Sequence, residues 1–312
     1  MLRASPFGRL LVLSILGAGL SACTASDHRS SSVSVDDLRA RLFTNDERST
    51  LATADRVLTG TCMRARGFDL PQVALPPLED WELNDSRRWG VSDSSTALAS
   101  GYHAPTPTQA DNVGAEDRYL ATLSAAQRAK FYVALTGDQS KGPPSAVAVK
   151  IPGTQLTERV SNSFTLSGCR PATEEKLSGD RMLWLALQAA VQKLATDADT
   201  RARASKQFIQ TLKDWSTCFK ARGFTAADPL IAAEFYSTPG PTPGPEEVNA
   251  AVADVACKAE VALGSAWSDA LSEALAFTDD DLAQSLTAWL ETKRVVLKNA
   301  AALVAQADIS GS

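Results

Sequence analysis

Histidine is nearly missing from this 312-residue chain: His28 and His103 are the only two, too few for a multi-histidine metal centre. Cysteine is sparse, 5 in 312, which excludes a small scaffold built on disulfides. Basic residues are not in excess. Lys and Arg total 31 against 36 Asp and Glu, a net charge of -5, so no cationic surplus draws nucleic acid. No apolar run reaches the ~20 residues that cross a bilayer core; the longest early run, Leu10 to Leu20, stops short, and Lys298 interrupts the last aliphatic stretch. There is no GxSxG elbow, no SxxK pair, no CxxC and no glycine-rich phosphate loop, which removes the common signatures of serine hydrolases, zinc ribbons, thioredoxin-type redox sites and nucleotide binding. A content of 44% apolar and 21% charged residues is too apolar for a disordered chain and too charged for a multispanning membrane protein.

The N-terminus carries the most specific pattern. Arg3 and Arg9 form a positive region, Leu10 to Leu20 is uncharged and mostly aliphatic, and Leu20-Ser21-Ala22-Cys23 follows. The length is that of a signal-peptide apolar region. The four residues resemble the bacterial lipobox, and that resemblance implies cleavage before Cys23 and diacylglycerol on its thiol. Residues 1–22 then form a signal peptide and residues 23–34, rich in serine, a flexible tether. Loss of Arg3 and Arg9 leaves 29 basic against 36 acidic side chains, a net of -7. Anionic lipid mildly repels such a body, so acyl chains rather than surface charge are expected to hold the protein to the lipid bilayer. One acyl chain binds marginally and two make a stable anchor, at about 0.8 kcal/mol per buried methylene.

Four cysteines remain: Cys62, Cys169, Cys218 and Cys257. An even number in an exported chain implies disulfides, and four allow three pairings. An internal repeat favours one of them. Thr61-Cys-Met-Arg-Ala-Arg-Gly-Phe68 and Thr217-Cys-Phe-Lys-Ala-Arg-Gly-Phe224 match at six of eight positions. Each closes a helical pattern with glycine at the position that takes a left-handed turn. Phe68 is expected to contact Met63, and Phe224 to contact Phe219, in a Schellman cap. The basic residues in both copies suit the negative end of a helix, so the motif reads as a helix stop beside a disulfide rather than an anion-binding strip. If the halves are duplicates, each helix-end cysteine pairs with the next cysteine downstream: Cys62–Cys169 and Cys218–Cys257. The alternative joins Cys62 to Cys218 and Cys169 to Cys257.

The body reads as mainly α: an irregular helical bundle of two unequal disulfide-linked halves, 35–200 and 201–308, with one β-hairpin in the first. Residues 35–66 are expected to be helical with a break near Thr44-Asn45-Asp46. Residues 70–114, with Pro71, Pro76, Pro77, Pro105 and Pro107, read as one long irregular loop. Ser124-Ala-Ala-Gln127 is a capping box opening a short helix that stops at Gly137. The hairpin pairs Ala146–Ile151 with Val160–Leu166. Residues 178–222 read as helical with a polar dip at 196–200, and residues 246–276 as one helix whose apolar face carries Val248, Val252, Val255, Ala259 and Leu263. Pro239 to Pro245 forms a connector, and Thr278 caps a last helix whose Leu282, Leu286, Trp289 and Leu290 face inward. Glu246-Glu247 and the triple acid Asp279-Asp280-Asp281 fall in first helical turns, where acids compensate the dipole.

These features together resemble a loose group of exported lipoproteins from high-GC Gram-positive bacteria. The resemblance rests on the lipobox, Cys62-Met-x3-Gly67-Phe68, Trp89-Gly-Val-Ser-Asp93, Gly101-Tyr-His103 and Tyr119 to Arg128. It implies an envelope role and carries over no catalytic residue, cofactor or metal site. Trp81, Trp89, Tyr102 and His103 make the candidate binding surface, for a sugar or peptide, or else fasten their loop to the helices. His103, the one histidine beyond the tether, has no motif that would make it a base. The expected function is a membrane-anchored extracytoplasmic binding or accessory module, non-enzymatic, with an envelope protein or peptidoglycan as partner. A solute-binding or accessory subunit of an envelope transporter, or a cell-wall hydrolase, are the alternatives.

Overall fold

The computed structural model describes residues 33–71, 88–103, 115–138, 146–161, 168–240 and 242–310, the side chains of 161 and 307–310 excepted. The leader, Cys23, nearly all of the tether and Trp81 lie outside the described residues.

Helices dominate, and their starts follow side-chain chemistry. Helix α1 (Val35–Ala40) and helix α2 (Asn45–Ala65) open on capping boxes at Ser34–Asp37 and Thr44–Glu47. The break expected near residues 44–46 is therefore the cap of α2. Asp93 caps a helix, α3 (Ser94–Ser100), inside the stretch read as irregular. An aspartate followed by four small residues is enough to start a helix when a packed neighbour supports it. Helix α4 (Ala115–Thr122) precedes α5 (Ala125–Thr136), which has the Ser124–Gln127 capping box and ends at Gly137 as expected.

Strands β1 (Ala146–Lys150) and β2 (Thr157–Ser161) form an antiparallel hairpin, with Val147 opposite Val160. The second strand starts three residues before the expected Val160, because the reversal is tight. Pro152 and Gly153 (φ 78°) make a turn in which the Thr154 N–H donates to Ile151 O at 3.3 Å. The remaining expected strand residues, 162–166, lie outside the described residues.

Helix α6 (Cys169–Ser178) leads into α7 (Arg181–Arg203) and α8 (Lys206–Ala221). The interruption falls at Ala204-Ser205, where the Ser205 hydroxyl accepts from Phe208 N–H at 3.1 Å, and not at the polar dip 196–200. That dip lies within α7, with Ala198 and Ala202 buried. Helix α9 (Pro229–Tyr236) precedes α10 (Pro245–Glu260) and α11 (Leu263–Leu275). The single helix expected over 246–276 is thus two, split at Ala262, whose φ of 50° is the one positive value at a non-glycine among the described residues. The buried face of α10 runs through Glu247, Ala250, Ala251, Asp254, Val255 and Cys257. It is rotated from the expected valine face, since Val248 and Val252 are half-buried and Ala259 is exposed. Helix α12 (Asp280–Ser310) spans 31 residues, about 46 Å at 1.5 Å per residue. Asp279 opens it in place of Thr278, its carboxylate accepting from Asp281 N–H at 3.0 Å. Asp281 in turn accepts from Gln155 N–H at 3.1 Å, so one of the three acids anchors the hairpin turn.

The largest apolar core joins both sequence halves. Leu38, Trp89, Leu187, Leu194, Phe208, Leu271, Leu286 and Trp289 belong to one buried cluster, and the expected boundary at 200/201 lies inside α7. Helix α12 packs along α2 and α7. Its Lys293 is buried, ion-paired to Glu47 at 2.8 Å, and donates to Ala40 O and Leu42 O at 3.1 and 2.6 Å, satisfying carbonyls at the end of α1.

Both expected disulfides are present. Cys62–Cys169 and Cys218–Cys257 each have Cα atoms 5.7 Å apart. Both Schellman caps form as well. Phe68 N–H reaches Met63 O at 3.0 Å and Phe224 N–H reaches Phe219 O at 3.2 Å, with Gly67 and Gly223 left-handed at φ 82° and 93°. Each disulfide sits in its own apolar cluster, one with Met63, Phe68 and Phe131, the other with Trp215, Phe219, Phe224 and Tyr236. The copies diverge downstream: Cys169 is the first residue of α6, whereas Cys257 lies in the last turn of α10. The arginines of the motif serve the structure. Arg66 donates to Ala134 O at 2.9 Å, and Arg222 pairs with Glu260 at 3.0 Å.

Candidate functional site

Residues 88–103 form a strap laid along α10. It starts at Trp89, runs through the Asp93-capped α3, and ends where Gly101 (φ 56°) turns the chain directly over Glu247. A methyl group on Gly101 would lie 2.7 Å from Glu247 Oε1, so only glycine permits the approach.

Glu247 is fully buried and holds three segments at once. Its Oε1 accepts from Tyr102 N–H at 2.9 Å, and its Oε2 accepts from Thr238 N–H at 2.8 Å and from the Thr238 hydroxyl at 2.6 Å. The same hydroxyl accepts from Gly244 N–H at 3.1 Å, closing the Pro-rich connector before α10. Burial pushes the Glu247 carboxyl up, but the Thr238 and Tyr102 bonds and the nearby His103 outweigh it, and the net displacement is below the ordinary value. Its position in the first turn of α10 is as expected. Its role goes beyond dipole compensation: it clamps the strap and the connector to the helix.

Two turns further along the same face, Asp254 is also fully buried. Trp215 Nε1 donates to it at 3.0 Å and Lys258 Nζ at 2.7 Å, and Lys258 also donates to Val91 O in the strap at 2.9 Å. Burial pushes the Asp254 carboxyl up to about 6, against the opposing pull of the Lys258 charge. Burial, followed by the charge of Asp254, also drives the Tyr102 phenol far above its ordinary value. With both carboxylates out of solvent, the pair makes a polar spine that fastens the strap.

Of Trp81, Trp89, Tyr102 and His103, the last three lie among the described residues. Trp89 is only 6% exposed. Its ring lies 5.0 Å from Phe208 and 5.4 Å from Trp267, with the Arg203 guanidinium 4.6 Å over its face. It is a core residue that staples the strap down. Tyr102 is half-buried beside the second disulfide cluster. His103 Nε2 lies 3.0 Å from Thr238 O and its Nδ1 3.6 Å from Glu247 Oε1. A carbonyl oxygen only accepts, so Nε2 carries a proton. His103 thus reinforces the clamp. Trp81 lies outside the described residues.

Beside Lys258, where α1, the strap and the α10–α11 turn meet, a cleft of about 360 Å³ opens. Arg39, Ser92, Ser265 and Ser268 line its rim, and Trp267 and Leu263 its floor. The sequence marked Glu247 only as a first-turn acid and did not single out Asp254, Lys258 or Arg39. The available signal was two acids seven residues apart among alanines and valines, which places charge on a buried helical face. Comparison of the chain with protein-family models, curated proteins and solved structures finds no match in any of the three.

Proposed function

We propose that this protein is a lipid-anchored module on the outer face of the cell membrane, acting by binding a partner or ligand of the envelope rather than by catalysis. One observation carries the reading. Four of the five cysteines are consumed in two disulfides, and the one left over is Cys23, at the end of the leader where Leu20-Ser21-Ala22-Cys23 resembles a lipobox. Paired cysteines fit an oxidising compartment, and a single remaining cysteine at that place fits acylation. The helical body adds support for binding over chemistry, since its buried acids are engaged in holding loops. An envelope protein or peptidoglycan is the partner class this location implies. Replacing Cys23 with alanine tests the anchor: the variant should leave the membrane fraction or accumulate with its leader uncut. A Cys23→Ala protein that matures normally and still sediments with membranes overturns the proposal.

A further inference from the structure

We propose that Cys218–Cys257 is a redox-active disulfide, opened by a small external thiol that attacks Cys218, whereas Cys62–Cys169 is a structural one. This exchange site belongs to the helical body and is independent of the lipid anchor.

The two bridges are matched in access. Each joins a half-buried cysteine, Cys62 or Cys218, to a fully buried one, Cys169 or Cys257. Each half-buried cysteine lies in the last turn of a helix that ends in the same Gly-Phe cap. The arginine of the repeated motif is placed differently in the two copies. Arg66 directs its Nη1 to Ala134 O at 2.9 Å. Arg222 lays its Nε against the second bridge, 3.2 Å from Cys257 Sγ and 3.4 Å from Cys218 Sγ. Its Nη2 donates to Glu260 Oε2 at 3.0 Å, and that same oxygen lies 3.4 Å from Cys218 Sγ.

Sulfur is a weak acceptor, so the Arg222 Nε–H gains little from the closed bridge. A thiolate gains much from a neighbouring guanidinium. Cys218 and Cys257 both lie in last helical turns, where the dipole opposes negative charge, so Arg222 is the group that steadies it. Exchange proceeds by attack of a thiolate on one sulfur, and it is faster when that sulfur is accessible and the other leaves easily. Cys218 is the sulfur within reach, because Cys257 has no exposed surface. In the first step a small thiolate bonds to Cys218 Sγ, the bridge breaks, and its electron pair stays on Cys257 Sγ beside Arg222 Nε. In the second step another thiolate attacks the outer sulfur of the mixed disulfide and departs with it as a small disulfide. Cys218 then takes a proton from water, and its S–H has Glu260 Oε2 as an acceptor. Two small thiols are oxidised to one disulfide, and the protein bridge gains two electrons. Arg222 and Glu260 thus supply one partner to each sulfur of the open form, and their mutual pairing offsets the repulsion of Glu260 toward the incoming thiolate.

The test exposes the full chain, in non-ionic detergent, to glutathione buffers of rising thiol content, quenches by alkylation and maps the cysteines by mass spectrometry. Cys218–Cys257 should open at a lower thiol content than Cys62–Cys169, and about tenfold faster. The glutathione adduct trapped on the way should sit on Cys218. Arg222→Gln should slow the opening about three- to tenfold, because the leaving thiolate loses its cation. A merely structural arginine predicts the opposite sign, since loss of the Glu260 pair loosens the end of α8 and exposes the bridge. Arg66→Gln, the matched change in the first copy, should not slow Cys62–Cys169. The wild-type comparison and the adduct position do not depend on any variant folding. Opening of Cys62–Cys169 first or at the same rate, an adduct on Cys257, or an Arg222→Gln protein that opens as fast as wild type or faster overturns the proposal.

Discussion

Glu247→Gln is the most informative single change, because the amide keeps the shape and removes the charge and one acceptor. Both carboxylate oxygens are in use: Oε1 takes the Tyr102 N–H, and Oε2 takes the N–H and hydroxyl of Thr238. Whichever way the glutamine is turned, its NH2 faces a donor. The less damaging choice sets NH2 against Tyr102 N–H, losing one charge-assisted bond and stranding a buried donor, a loss of about 2–3 kcal/mol. His103 loses its partner charge in the same step. In a chain of 312 residues that corresponds to a drop of about 3–5 °C in the thermal midpoint. Glu247→Ala strands all three donors and should remove about 4 kcal/mol. The loss is pH-dependent. A carboxyl held below its ordinary value of 4.5 contributes stability that is complete above that value and disappears as pH falls through the lower folded value. The gap between wild type and Glu247→Gln should therefore be widest near neutrality and close in acid. Urea unfolding followed by tryptophan fluorescence measures the gap. Hydrogen exchange at Tyr102 and Thr238 shows whether the strap and connector loosen first. A Glu247→Gln protein within about 0.5 kcal/mol of wild type at pH 7, with both amides still protected, would refute the clamp.

Gly101→Ala should destabilise by about 2 kcal/mol or more, since it adds a methyl group 2.7 Å from Glu247 Oε1 to a left-handed residue. Gly179→Ala, at φ 78° with nothing within 4 Å of the added carbon, should lose only the ~1 kcal/mol of backbone strain, and denaturant melts of the two separate contact from strain. For the disulfides, sequence separations of 107 and 39 give about 4.8 and 3.9 kcal/mol in the chain-entropy model. Paired Cys→Ala replacement at 62 and 169 should therefore lower stability more than at 218 and 257; the reverse order would mean that the unfolded chain is not the main seat of the effect. Asp254, raised from 3.8 to about 6, favours the fold when protonated. That contribution is full below 3.8 and is lost as pH rises through 6. Asp254→Asn should remove this fall from the stability profile between pH 4 and 6, while lowering stability at pH 7 by leaving Lys258 buried without its counter-charge.

Local chemistry was legible in the amino-acid sequence where it is self-contained. The capping box at Ser124, the stop at Gly137 and both Schellman caps depend on residues within five positions of each other, and all form as read. The octapeptide repeat also carried the disulfide pairing. What escaped was set by distant partners. Glu247 looked like any first-turn acid because Tyr102 is 145 residues away. The split at Ala262 replaces a good helix former with a left-handed turn, a tertiary override of propensity. Trp89 resembled a loop aromatic free to bind because its cage of Phe208, Trp267 and Arg203 comes from other segments. The cleft was illegible for the same reason, since α1, the strap and the α10–α11 turn each contribute only a few groups.

The mass of the N-terminal peptide of the protein purified from its own membranes tests the lipid anchor most directly. Proteolysis should yield a peptide that starts at Cys23 and carries diacylglycerol on its thiol, with no species containing residues 1–22. An N-terminal peptide that retains the leader, or that starts elsewhere with an unmodified Cys23, would contradict the anchored module.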